Sequence, residues 1–162
     1  MSSTTKKPGD ILMISLAGDK FAYAHVSKKS PFIIFYDYFE DAPLQPEDIV
    51  KLPIGFRVGV YDDVLQSGRW PKVGWMDSPQ LSVNPPLFKQ DSISGTLSIY
   101  HDDYADSGYE RLATLSEVTG LERAAVWDAD HIEDRLLCHF TGKSCKWVVP
   151  VDVSKVPSSQ KA

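Results

Sequence analysis

Residues 31–39, PFIIFYDYF, decide how the chain is read. β-branched and aromatic side chains in an unbroken run fit a pleated strand better than any helix, and Pro31 separates the run from what precedes it. Immediately upstream, DILMISL (10–16) is apolar, Ala17-Gly18-Asp19-Lys20 has turn composition, and FAYAHVSK (21–28) alternates Phe21, Tyr23 and His25 with Ala22, Ala24 and Val26. Two runs joined by so short a loop make a hairpin, and with 31–39 they predict a three-stranded meander.

Downstream, prolines 43, 46 and 53 bracket PEDIV (46–50), where proline at a helix start and acids in the first turn predict one short helical turn. GFRVGVYDD (55–63) alternates Phe56, Val58 and Val60 with Arg57, Gly59 and Tyr61, a fourth strand. WPKVGWM (70–76) supplies a fifth, residues 77–86 read as loop, and PLFKQD followed by ISGTLSIYH, with Ile93, Leu97 and Ile99 alternating, continues the strand pattern to His101. Residues 109–122 fit either a strand with a short helix or one irregular helix. AAVW (124–127) reads as a short strand. Asp128 or Asp130 can then cap a helix to about Phe140, Glu133 completing a capping-box spacing after Asp130. Ile132, Leu136 and Phe140 form its buried stripe, with Glu133, Asp134 and Arg135 outward, and Gly142 stops it. Lys146–Val151 reads as a last strand. The expectation is an α+β, strand-rich protein: a strongly bent antiparallel sheet or small barrel with a C-terminal helix packed against it, as one domain over residues 8–153 between flexible ends 1–7 and 154–162.

The chain has 162 residues, 43% hydrophobic and 24% charged, a composition that sets disorder aside. A net charge of −5 repels phosphate backbones and anionic lipid, so direct nucleic-acid and membrane partners are not expected. No run approaches the ~18 apolar residues of a spanning helix, which places the protein in the cytoplasm by default. Two cysteines, Cys138 and Cys145, make no disulfide framework and match no zinc spacing, so both are read as reduced thiols.

Catalytic constellations are wanting. His25 reads as a satisfied strand histidine, His101-Asp102-Asp103 points its neighbours to opposite faces of an extended segment, and His131 and His139 lie too far apart for one ion. The glycines never form a phosphate-cradling loop. No catalytic residue, metal or cofactor is therefore expected. What stands out is acid interleaved with aromatic: Tyr36, Asp37, Tyr38, Glu40 and Asp41 in one cluster, Asp62 and Asp63 after Tyr61 in a second, and Asp102, Asp103 and Asp106 among tyrosines in a third. Converging on one face, these residues would offer rigid contact area and a field that steers a basic protein.

The stretches KPGDILMISLAGDKFAYAHV (7–26), FIIFYDYF (32–39) and GFRVGVYDDVLQSGRWPKVG (55–74) resemble the Immunity protein 26 family of bacterial polymorphic-toxin systems, and GLERAAVWDADHIEDRLLCHF (120–140) is similar to that family's closing strand and helix. The resemblance implies a cytoplasmic antidote without catalytic residues. Such a protein binds a co-encoded toxin domain, a basic nuclease being the physically apt case, in competition between neighbouring bacteria. KPGDIL also resembles the first strand of small-barrel ribonuclease toxins, a reading in which His25 or Arg57 would serve cleavage. The arginine-proline step of those enzymes is absent. A third reading is an interaction domain with no toxin partner.

Overall fold

The computed structural model describes residues 6–29, 32–83, 85–101 and 109–162. In chain order the elements are β1 (Asp10–Ser15), β2 (Phe21–Val26), β3 (Phe32–Tyr36), α1 (Pro46–Ile49), β4 (Ile54–Val60), α2 (Asp62–Gln66), β5 (Lys72–Trp75), β6 (Leu87–Gln90), β7 (Leu97–His101), β8 (Tyr109–Leu112), α3 (Leu115–Val118), β9 (Glu122–Arg123), β10 (Val126–Trp127) and α4 (Ala129–Thr141). They form two compact units: residues up to 83 with Val126–Val148, and residues 84–125 with Val149–Ala162. The chain crosses from one unit to the other three times.

The first unit holds a six-stranded sheet in the order β10-β4-β3-β2-β1-β5. The expected meander is its centre, with β1, β2, β3 and β4 antiparallel in turn. Both faces of this sheet are covered, which accounts for the unbroken apolar run at 32–36. On one face Leu12, Ile14, Ala24, Ile33, Phe35 and Val58 pack under Ile132 and Leu136 of α4, Val64 of α2, and Trp70. On the other, Ile11, Tyr23, Ile34 and Tyr36 lie under Ile49 of α1 and Leu81 of a 3₁₀ turn at Pro79–Ser82. Side-chain alternation along each strand divides the two sets. At the β5 edge the chain turns through Gly9 (φ +93°), where a Cβ would stand 2.5 Å from the Trp75 indole nitrogen. Only glycine fits there.

The second unit holds β8-β7-β6-β9, with β6, β7 and β8 antiparallel and β9 parallel to β6. Phe88, Leu97, Ile99, Ala113, Val118 and Val156 make its core. The architecture is thus α+β and strand-rich with two bent sheets and a C-terminal helix, and neither sheet closes into a barrel among the described residues.

Several local expectations give way. Ile93 is 93% exposed, because Asp91 accepts the amide hydrogens of Ile93 and Ser94 at 2.8 Å and folds 91–96 into a turn before β7 begins. Lys146–Val151 forms no strand: α4 holds Trp147, while the Arg123 guanidinium takes the carbonyls of Val149 and Pro150 at 3.1 and 3.0 Å. The tail expected to fray is tied down in the second unit, where Val156 is buried and Gln160 bonds both backbone groups of Leu97, at 2.9 and 2.8 Å. Residues 109–122 resolve as β8 followed by α3, which opens on a Thr114–Glu117 capping box.

Candidate functional site

The first acidic cluster begins at the C-terminal end of β3. Tyr36 is completely buried and is no surface residue. Tyr38 is half-buried against Phe21 and Tyr23, its hydroxyl donating to the Ala42 carbonyl. Asp37 is exposed and paired with His139 at 3.1 Å, and Glu40 and Asp41 are exposed. Asp62 and Asp63 leave the opposite end of the sheet. Phe32 faces Gly59 and Tyr36 faces Ile54 across the antiparallel β3–β4 pair, so the seven residues of β4, ~20 Å of strand, separate the two clusters. Among the described residues the first two clusters thus lie apart, because antiparallel pairing sends the C-terminal ends of consecutive strands to opposite ends of the sheet. Asp102, Asp103 and Asp106 lie outside the described residues.

What joins Asp62 and Asp63 is a pair of carboxylates far along the chain. β10 runs parallel to β4, with Val126 beside Gly59 and Trp127 beside Val60, and the Tyr61 N–H donates to the Trp127 carbonyl at 3.2 Å. Both strands therefore exit at the same end in the same direction, and each enters a helix within two residues. Tyr61 precedes α2 and Asp128 precedes α4, which sets Asp62, Asp63, Asp128 and Asp130 around two adjacent helix starts, where helix dipoles favour acids. Between them lies a cleft of about 500 Å³ reaching Ser67, Arg69 and His131. Tyr61 (49% exposed) and Val126 (43%) occupy the two strand exits beside it.

The Arg69 guanidinium in the cleft is already committed. Arg69 Nε and Nη2 each bond Glu133 at 2.8 Å, and Nη2 reaches Asp130 at 2.6 Å. Those bonds to Glu133, against a smaller desolvation effect, push the guanidinium pKa further up. Trp70 adds an indole N–H to Glu133 at 3.0 Å. Glu133 therefore does not complete a capping box, and the Asp128 side chain makes no cap bond either. Asp62, Asp63 and Asp128 remain without an ionic partner among the described residues; Asp63 and Asp128 line the cleft as a negative rim around a neutralised base, and Asp62 precedes Asp63 at the start of α2. Such a rim can receive an ammonium or guanidinium group. Val60-Tyr61-Asp62 and Val126-Trp127-Asp128 share a valine-aromatic-aspartate order, but the pairing sets them one residue out of step, Trp127 lying beside Val60.

A second polar assembly lies beneath the other sheet face. His25 Nε2 is 2.7 Å from the Met76 carbonyl and 3.2 Å from that of Gly9, and carbonyls only accept, so Nε2 carries the hydrogen. Nδ1 is then the acceptor for the Tyr36 hydroxyl at 2.8 Å, and Tyr36 in turn accepts from the Gln80 amide at 2.5 Å. Burial lowers the His25 pKa and raises that of Tyr36 to about 12. Both nitrogens of the imidazole are spent inside the core, the role of a satisfied structural histidine. Among the described residues no group of three or more metal-ligating side chains gathers, and no helix is long and apolar enough to cross a membrane.

The fold and site together define a strand-rich α+β protein with an acidic cleft beside an exposed tyrosine. The chain belongs to the Immunity protein 26 family, whose model matches residues 7–98, more than half of its length. The matched stretch contains Tyr61, Asp62, Asp63 and Arg69, whereas Asp128, Asp130 and Glu133 follow it. Comparison with curated proteins and with solved structures found no significant match.

Proposed function

We propose that this protein is the immunity partner of a bacterial toxin domain, which it binds and blocks in the cytoplasm of the cell that makes both. Family membership over residues 7–98 is the observation that carries the role. The cleft supports a contact face: Asp62, Asp63, Asp128 and Asp130 steer and seat a basic group while Tyr61 supplies rigid area. A cationic, phosphate-binding toxin such as a nuclease is the partner chemistry this favours, and inhibition then needs no catalysis by the antidote. Asp37, Tyr38, Glu40 and Asp41 form a second, separate candidate edge. Tyr36 contributes by holding the core.

The test is association kinetics with the toxin domain encoded beside this gene. Asp62→Lys with Asp63→Lys should slow association about tenfold at low salt and flatten its salt dependence, since rim charges act chiefly on the on-rate. The Asp37→Lys/Glu40→Lys variant, altered at the other end of the sheet, should associate at the wild-type rate. The opposite pattern would move the interface to the β3 end, and failure of the wild-type protein to bind or neutralise that domain would remove the immunity role.

A further inference from the structure

The last helix turns back on itself, and the returning chain brings the two cysteines together. Gly142 ends α4 in the left-handed conformation (φ +72°), and the Lys143 N–H closes onto the Cys138 carbonyl at 2.8 Å. The segment beyond runs antiparallel to a single stripe of the helix, because His131, Asp134 and Cys138 recur at steps of three and four. Trp147 stacks on the His131 ring, centroids 3.6 Å apart, and its indole N–H donates to Asp134 at 2.9 Å. Two residues earlier on the same return, Cys145 comes back beside the next position of the stripe, Cys138, and the two line the same groove. Both thiols are unbridged and half-exposed, and both line a groove of about 420 Å³ shared with Leu137 and Trp147.

We propose that Cys138 and Cys145 are a reversible dithiol–disulfide pair, oxidised by small-molecule disulfides, that locks the 142–147 return onto α4. In the first step the thiolate of one cysteine attacks the reagent's S–S bond, forming a mixed disulfide and releasing one reagent thiol. The second cysteine, as thiolate, then displaces the other reagent thiol and forms the internal S–S bond. Two S–H protons pass to solvent or to the departing thiolates, and the two electrons lost by the cysteines appear in two reduced reagent thiols. Desolvation first, and Cys145 second, raise the Cys138 pKa. The pair therefore reacts slowly at neutral pH and responds to sustained oxidation.

The experiment incubates the intact protein with oxidised glutathione at mildly alkaline pH, quenches with an alkylating reagent under denaturing conditions, and reads the mass. The expected product is monomeric, lighter by about 2 Da and free of alkylated thiols. Trypsin should release peptide 136–143 linked to peptide 144–146. Cys138→Ser and Cys145→Ser should each end as a single glutathione adduct. Two adducts on the wild-type protein, a covalent dimer, or both thiols persisting while a dithiol peptide in the same tube is oxidised would overturn the proposal.

Discussion

At the scale of single residues, His25 shows how a group that could do chemistry is consumed by structure. Its neutral Nε2–H form is the only one compatible with two carbonyls on one side and a donating tyrosine on the other. Protonation would set an N–H against the Tyr36 hydroxyl hydrogen inside a fully buried site. Because burial lowers the folded-state pKa below 6.5, the unfolded chain binds the extra proton first. Stability is thus full above about pH 6.5 and falls as the pH drops below it, with a slope approaching ~1.4 kcal/mol per pH unit. Tyr36 acts at the alkaline end: its raised pKa, about 12, keeps it protonated while the unfolded chain ionises, so stability falls again as pH climbs from about 10 toward 12. Urea denaturation across pH should show both flanks, and His25→Gln should flatten the acid one alone. An acid flank unchanged in that variant would assign it to other groups. The sequence placed His25 correctly among the structural histidines because an alternating strand left it facing a core. It could not reveal the proton's position, which depends on carbonyls 16 and 51 residues away.

Individual elements were legible where their signals are local. The meander, the short helix that opens on Pro46, β5 and the body of α4 all follow from alternation, proline placement and the four-residue stripe, and Gly142 stops α4 as expected. The end of α4 that faces the cleft departs from its sequence signal. Glu133, spaced for a capping box, is drawn away by Arg69 and Trp70, and Arg135, expected to face outward, lies 3.8 Å over the Phe56 ring. A charged partner brought in from 64 residues away outcompetes a local cap, and no local stretch of sequence contains both. Glu133→Ala should therefore cost about 1–2 kcal/mol, the net worth of a half-exposed bidentate pair plus a stranded indole N–H, measured by thermal or chemical denaturation. Asp130→Asn, at a position 74% exposed, should change stability by less than about 0.5 kcal/mol. Equal losses in the two variants would mean that Glu133 holds nothing beyond a surface ion pair.

For the whole molecule, the limit of sequence reading was pairing between distant segments. The strands of both sheets were largely recognisable, but β9 and β10 are two residues long and join their sheets in parallel, β9 to β6 across 35 residues and β10 to β4 across 67. AAVW marked β10 as a strand, but so short a run carries nothing that names its partner, and that second pairing is the one that assembles the acidic cleft. The same non-local logic governs the C-terminus. VPSSQKA looks like a fraying tail by composition, yet Val156 is buried in the second unit's core and the Gln160 amide caps both backbone groups of Leu97. Removing residues 153–162 would expose the apolar surface that Val156 covers, strip the Leu97 N–H of the Gln160 acceptor and leave the Leu97 C=O with the Ala113 N–H at 3.2 Å. Burial of one valine and two hydrogen bonds together amount to about 2–4 kcal/mol. Amide hydrogen exchange at Leu97 and its β6 and β7 neighbours should accordingly speed up by about 30-fold or more in the truncated chain, since exchange reports the free energy of local opening. Gln160→Ala in the full-length chain should produce a smaller acceleration centred on Leu97. Unaltered protection there in both variants would show that the tail contributes nothing to the second sheet.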